Sequence, residues 1–289
     1  MRRVITQLST FTMFIIYYCT VSFASDFHSP RTEALGGAGH ASPLLSDALY
    51  LNPSFTSFTQ THAFSLNYLL FSGPPITTAN GPTDYYGNNL NMSVIDGTSE
   101  SLFQAGVGYT RRDDATLIHV GASKSIIQRF GVGIGAKFVF PKNSVYTRFT
   151  DANLSFTALV SSWFQSSIIV DNLFESANPA LNFKREFILG TKFNVNPFFL
   201  LYLDPHFTPT LSQDKFGYQA GVELPFFKDF FVRLGLFKNS MVPFQAIRGN
   251  GFGFGGGWIA PKLSLDYAFS HVLSPQAATV HNFGFTVYF

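Results

Sequence analysis

The 289-residue chain is 46% hydrophobic and 17% aromatic, with 35 Phe, yet only 12% of its residues are charged. Soluble domains carry roughly 25% charged residues, so this surface is short of what water requires. Beyond the N-terminal segment no run of about 18 apolar residues exists, which excludes a membrane protein of spanning helices. The formal net charge of +2 points to no nucleic-acid partner. Many aromatics, few charges and no spanning helix leave a closed β-barrel as the membrane option.

Residues 1–24 read as a secretory signal peptide, with Arg2 and Arg3 ahead of an apolar core from Phe11 to Phe23. Ser22-Phe23-Ala24 supplies small residues for cleavage, so the mature chain is expected to begin at Ser25. Cys19, the one cysteine, lies inside this segment. The mature protein would therefore contain no cysteine, and neither a disulfide nor a thiolate metal site is expected.

Residues 25–60 are small, rich in Gly and Ala, and lack period-two alternation. They contain Arg31-Thr-Glu-Ala-Leu-Gly36-Gly37-Ala and then Asp47-Ala-Leu-Tyr-Leu-Asn52-Pro53-Ser54. Here the chain resembles the FadL and PorV group of outer-membrane proteins, with Ser54 where that group usually has Ala. The resemblance implies that this stretch plugs a barrel rather than forming its wall, and that the wall has fourteen strands.

Residues 61–289 are expected to be that wall. Alternate side chains of a strand point to opposite faces. Phe64, Leu66, Tyr68 and Leu70 share one face, as do Phe103, Ala105, Val107 and Tyr109. Phe130, Val132, Ile134, Ala136, Phe138 and Phe140 would face lipid and leave Gly131, Gly133, Gly135 and Lys137 inside, where a serine is expected to be tolerated in place of Gly133 or Gly135. Segments 216–224 and 263–269 repeat the pattern. Short turns are expected at Phe164-Gln165, Asn196-Pro197, Pro225 to Lys228 and Ile259 to Lys262, alternating with longer outer connections. Arg111 to Asp114 is an unusually short outer turn, and Leu90 to Ile95 supplies the second strand. The predicted fold is all-β, a transmembrane antiparallel barrel of fourteen strands (alternatively twelve) around an N-terminal plug.

In the last strand His281, Phe283, Phe285, Val287 and Phe289 oppose Val280, Asn282, Gly284, Thr286 and Tyr288. The spacing of Asn282, Gly284, Val287 and Phe289 resembles the C-terminal insertion signal of bacterial outer-membrane barrels. Outer-membrane lipids and the barrel-assembly machinery are the partners it implies.

The charges placed inward are Lys137, Glu186, Lys192, Asp204, Glu223, Arg233, Lys262 and Asp266, of both signs in equal number. Such balance suggests internal pairing that braces wall and plug, or a polar lining for solutes. Ile188, Leu200 and Phe237 add inward apolar surface. Gly251, Gly253, Gly255 and Gly257 occupy one face of a single strand, which marks close approach by another backbone. They are expected to seat the plug around Asn52-Pro53, unless neighbouring aromatics such as Tyr288 cover them. This glycine run lacks the Lys-Ser/Thr and helix of a phosphate loop. No catalytic constellation emerges, the seven His lack metal-ligand spacing, and no cofactor is expected. The FadL resemblance implies uptake of small hydrophobic molecules, fatty-acid-like or aromatic. The PorV resemblance implies instead a scaffold or shuttle for secreted or surface proteins.

Overall fold

Where apolar and small or polar residues alternate, the backbone is extended. A computed structural model describes residues 27–59, 61–78, 81–98, 103–142, 147–175, 183–243 and 248–289. The expected signal peptide lies outside the described residues. Among them the strands are β1 (His62–Thr78), β2 (Gly81–Asp96), β3 (Gln104–Arg112), β4 (Ala115–Ile127), β5 (Phe130–Pro141), β6 (Phe149–Ala158) and β7 (Phe164–Asp171). β8 (Glu186–Asn196), β9 (Phe199–Phe207), β10 (Phe216–Phe226), β11 (Phe230–Met241), β12 (Arg248–Ala260), β13 (Leu263–Ser274) and β14 (Ala278–Tyr288) follow. Each pairs antiparallel with its neighbours in sequence, and β1 pairs with β14, so the described strands close a barrel of fourteen rather than twelve. Closure leaves no sheet edge to present unpaired N–H and C=O groups to hydrocarbon.

No helix among the described residues is long and apolar enough to cross a membrane, which says nothing of crossing by strands. A spanning strand needs about 9–11 tilted residues, and β5 has 12. Along β5 the outward Val132, Ile134 and Phe138 are exposed while Gly131, Lys137 and Val139 are buried, which is the facing expected from the alternation. The closing seam runs from Ala63 opposite Tyr288 to Ser72 opposite Thr279. Phe289 extends it, donating its N–H to the carbonyl of His62 at 3.1 Å. The rim where β14 ends, the inner one, carries the short connections after β4, β6, β8, β10 and β12, whereas the longer connections after β5, β7, β9 and β11 lie at the opposite, outer rim, which also has the short turn between β3 and β4.

Two boundaries differ from the sequence reading. β2 is far longer than Leu90 to Ile95, because its register with β1 carries it through Gly87, Asn88 and Asn89, which break the apolar alternation without breaking the ladder. The turn expected at Phe164-Gln165 falls earlier, at 159–163. There the backbone of Ser161 pairs with that of Phe164 and the Ser161 hydroxyl accepts the Phe164 N–H, so β7 begins at Phe164.

Within the barrel sits a hatch of short helical pieces: α1 (Pro30–Ala34), a 3-10 turn (Leu45–Asp47), α2 (Ala48–Leu51) and a second 3-10 stretch (Pro53–Phe58). Ser29 caps α1, accepting from Thr32 N–H while its own N–H reaches the Thr32 hydroxyl, and Pro30 occupies the first helical position. Gly36 and Gly37 then take positive φ, +65° and +89°, and end the helix.

Candidate functional site

Above the hatch, toward the outer rim, the lumen holds an apolar cluster beside a polar group of Glu186, His206 and Arg248. Leu69, Phe71, Leu117, Val139, Val272 and Val280 form one buried cluster, with Phe183 and Val242 from the outer connections and Phe237 packed against it. Beneath it is a small cavity of about 70 Å³ bordered by Tyr50, His119, Lys137, Ile188 and His206. Ligand pockets are typically several hundred Å³, so with the hatch in this position the lumen is closed to a ligand at the level of this cavity.

Below the cavity, hatch and wall are joined through buried charge. Arg31 donates Nε–H to Glu223 of β10 at 3.0 Å and an η-nitrogen to the Tyr202 hydroxyl at 2.7 Å. Glu223 also accepts from Arg233 of β11 at 2.6 Å, and Arg233 bonds Asp266 of β13. The four charges run from hatch to three wall strands. A second latch is Asp204 of β9, fully buried, which accepts the backbone N–H groups of Gly39 and His40 at 2.8 and 2.9 Å and the His40 imidazole at 2.9 Å. Its other oxygen takes the Thr191 N–H of β8 at 3.1 Å. The β8–β9 ladder omits Leu189 and Gly190 opposite Asp204 and Pro205, so the wall is loosened where hatch residues His40 and Ala41 lie against Gly190.

The third contact uses Asn52 and Pro53. The Asn52 side-chain amide donates to the His40 carbonyl at 2.7 Å and to Thr157 at 2.9 Å, and Ser54 N–H bonds Ser155 of β6 at 2.8 Å. Pro53 and Ser54 lie directly on Gly133 of β5. A side chain at Gly133 would enter hatch backbone. The facing was read correctly, but the expected tolerance of serine there is corrected because the lumen is already filled.

The glycines of β12 are likewise covered by hatch, but by a different part of it. Added side chains at Gly253 would meet the Glu33 carbonyl and at Gly255 the Ala34 methyl, so this strip seats α1 and not Asn52-Pro53. Phe237 lies over Gly251, and Asp266 and Arg233 over Gly257. Tyr288, proposed as a cover, instead donates to Ser264 at 3.0 Å.

The remaining sequence-selected residues divide. Lys137 bonds Asp171 at 2.6 Å, Glu186 accepts from Arg248 at 2.8 Å, and Lys192 reaches the Ser42 hydroxyl of the hatch at 3.3 Å. Leu200 packs with Leu35 and Tyr202. Lys262 is a correction: it is exposed in the turn between β12 and β13, where period-two counting from the strand no longer applies. Asp47 is buried in the hatch, and burial pushes its carboxyl up to about 7 against the pull of the Ser29 hydroxyl and Arg31. Of the terminal motif, Phe289 is exposed, whereas Asn282 and Gly284 face inward and hold the hatch. The Asn282 amide donates to the His28 carbonyl at 2.9 Å, and Gly284 leaves room for Pro30. Sequence reasoning missed that second use. It also missed His40, whose position in a Gly-Ala stretch carries no periodic signal.

No protein-family model matches the chain, and no curated protein matches it in sequence. Its structure is similar to that of the CymD monoaromatic hydrocarbon channel, at TM-score 0.67 and 12% identity over 90% of this chain and 97% of that one. The Ralstonia pickettii toluene transporter TbuX gives 0.64 and 12% over 90% and 97%. A Pseudomonas aeruginosa FadL homologue gives 0.64 and 11% over 92% and 98%. At these identities the likeness is one of fold, and by its fold this chain is a FadL-like fourteen-strand barrel.

Proposed function

We propose that this barrel lies in the outer membrane, after export and removal of residues 1–24, and takes up small hydrophobic molecules. The observation that carries the reading is the inward apolar layer near the outer rim, made by Leu69, Phe71, Leu117, Val139, Val272 and Val280. A solute with no hydrogen-bonding groups can part this layer without leaving any polar group unsatisfied, whereas a hydrated solute cannot. The similar barrels are described as a monoaromatic hydrocarbon channel and a toluene transporter, which supports an aromatic or comparably small apolar substrate. The closed lumen requires the hatch to shift, and the loosened β8–β9 ladder beside His40 supports sideways release into the membrane. The packed interior also supports a second reading, a PorV-like scaffold that transports nothing.

Uptake of labelled toluene by cells lacking other hydrocarbon channels separates the two. The intact barrel is expected to accelerate uptake, and Leu117→Asp with Val139→Asp is expected to remove the acceleration while the barrel still folds. No acceleration by the intact barrel, together with co-isolation of a secreted protein, would replace the transport reading with the scaffold.

A further inference from the structure

On the lipid side of the wall, one position lacks a side chain. Outward residues of paired strands form rows across the sheet, and one row runs Val232, Gly256, Tyr267, Phe283 and Tyr68 from β11 to β1. Along β12 the outward neighbours of Gly256 are Phe254 and Trp258. A methyl added at Gly256 would touch only the Phe231 carbonyl oxygen, at 3.4 Å. The gap belongs to an apolar groove of about 800 Å³, walled also by Phe226, Phe230, Leu265 and Phe285. Gly255 and Gly257 face inward, so the backbone from 255 to 257 is bare on both faces. Its inner side already rests against Ala34 of the hatch.

The periplasmic end of this groove carries charge. Lys228 is exposed in the turn joining β10 to β11, between Phe226 and Phe230, and Lys262 is exposed in the turn joining β12 to β13, three residues before Leu265. Asp229 shares the first turn and offsets part of this charge. Trp258, near the same rim, has the amphipathic ring that settles at membrane interfaces. We propose that this groove is a discrete site for one anionic phospholipid of the inner leaflet, its acyl chain in the notch at Gly256 and its phosphate held by Lys228 and Lys262. A lipid tail is as apolar as the wall, so affinity in a bilayer comes from packing and headgroup charge rather than from the hydrophobic effect. A notch and paired lysines at the depth where headgroup and chain meet supply both. The proposal rests on the membrane placement of the barrel and is independent of what passes through its lumen.

The test is native mass spectrometry of the barrel released from nanodiscs of phosphatidylethanolamine and phosphatidylglycerol, with heat-modifiable gel migration to monitor folding. The wild type should retain one phosphatidylglycerol. Gly256→Phe, which fills the notch from the lipid side, should lower retention roughly tenfold, and Gly256→Leu serves the same purpose if the larger ring prevents insertion. Lys228→Glu with Lys262→Glu should erase the preference for phosphatidylglycerol over phosphatidylethanolamine, about fivefold for each lysine. Equal retention by the notch variants would overturn the site. So would a barrel dimer that dissociates on Gly256→Phe, since a second copy would then be the occupant.

Discussion

The outer and inner halves of the lumen are built by the same fourteen strands under the same alternation, yet they hold together differently. Near the outer rim Leu69, Phe71, Leu117 and Val139 meet as an apolar cluster without directional bonds of its own, beside the Glu186–Arg248 pair. At hatch level Arg31, Glu223, Arg233 and Asp266 form a continuous charged chain, and Asp204 gathers three hatch groups on one oxygen. An apolar layer separates at the cost of packing alone. A buried ion chain, once broken on one side, leaves charges without counterions in a low dielectric. The outer layer is thus the part that yields to a hydrophobic solute, and the latch is the part that keeps the hatch seated.

The largest effect should come from breaking the latch. Glu223→Leu leaves Arg31 and Arg233 without their shared carboxylate, and removing one partner of a buried pair typically costs about 3–5 kcal/mol. The expected outcome is a folded barrel with raised single-channel conductance and faster proteolysis near Asn52. Unchanged protection would mean that the Asn52–Thr157 and Asp204–His40 contacts suffice without Arg31.

A smaller effect is expected from the apolar layer. Leu117→Ala removes buried methyl groups, for which losses of about 2–5 kcal/mol are typical in close-packed cores, and the low end applies if water refills the space. Barrel stability in urea should fall while protection of Asn52 stays as it was. A parallel loss of hatch protection would show that the two halves are one cooperative unit.

The smallest effect is a pH dependence. Burial holds the Asp47 carboxyl at about 7, above the ordinary 3.8 it regains when the hatch leaves its seat. The sign follows from linkage: the docked state binds the proton more tightly, so docking is favoured in full below pH 3.8 and loses that contribution as pH rises through 7. Proteolysis of the hatch should therefore quicken between pH 5 and 8, and Asp47→Asn should flatten the profile. A profile that is already flat in the wild type would place Asp47 in contact with water.

Much of the wall was legible from residues alone. The facing of β5 followed from Val132, Ile134 and Phe138 against Gly131, Gly133 and Lys137, because a strand's period of two is a property of the backbone. Where that period lapses the reading slipped: β2 was shortened at its asparagines, and Lys262 was placed inside a lumen that its turn never enters. Parity of the connections, with the family resemblance, pointed to fourteen strands and left twelve as the alternative, which closure of the described strands excludes.

What the sequence by itself determined is therefore which face the residues of its alternating strands take, since that depends on neighbours one and two positions away, and that the stretch before β1 is not wall. Which hatch residue meets which strand was decided only in three dimensions. Arg31 and Glu223 are 192 positions apart, and the Asn282 side chain reaches the carbonyl of His28 across 254. Alternation turns both partners inward but says nothing of height or of the strand opposite. The β12 glycines announced close approach, yet α1 rather than Asn52-Pro53 fills it, because barrel closure sets Ala34 against Gly255 while Pro53 is carried across to Gly133.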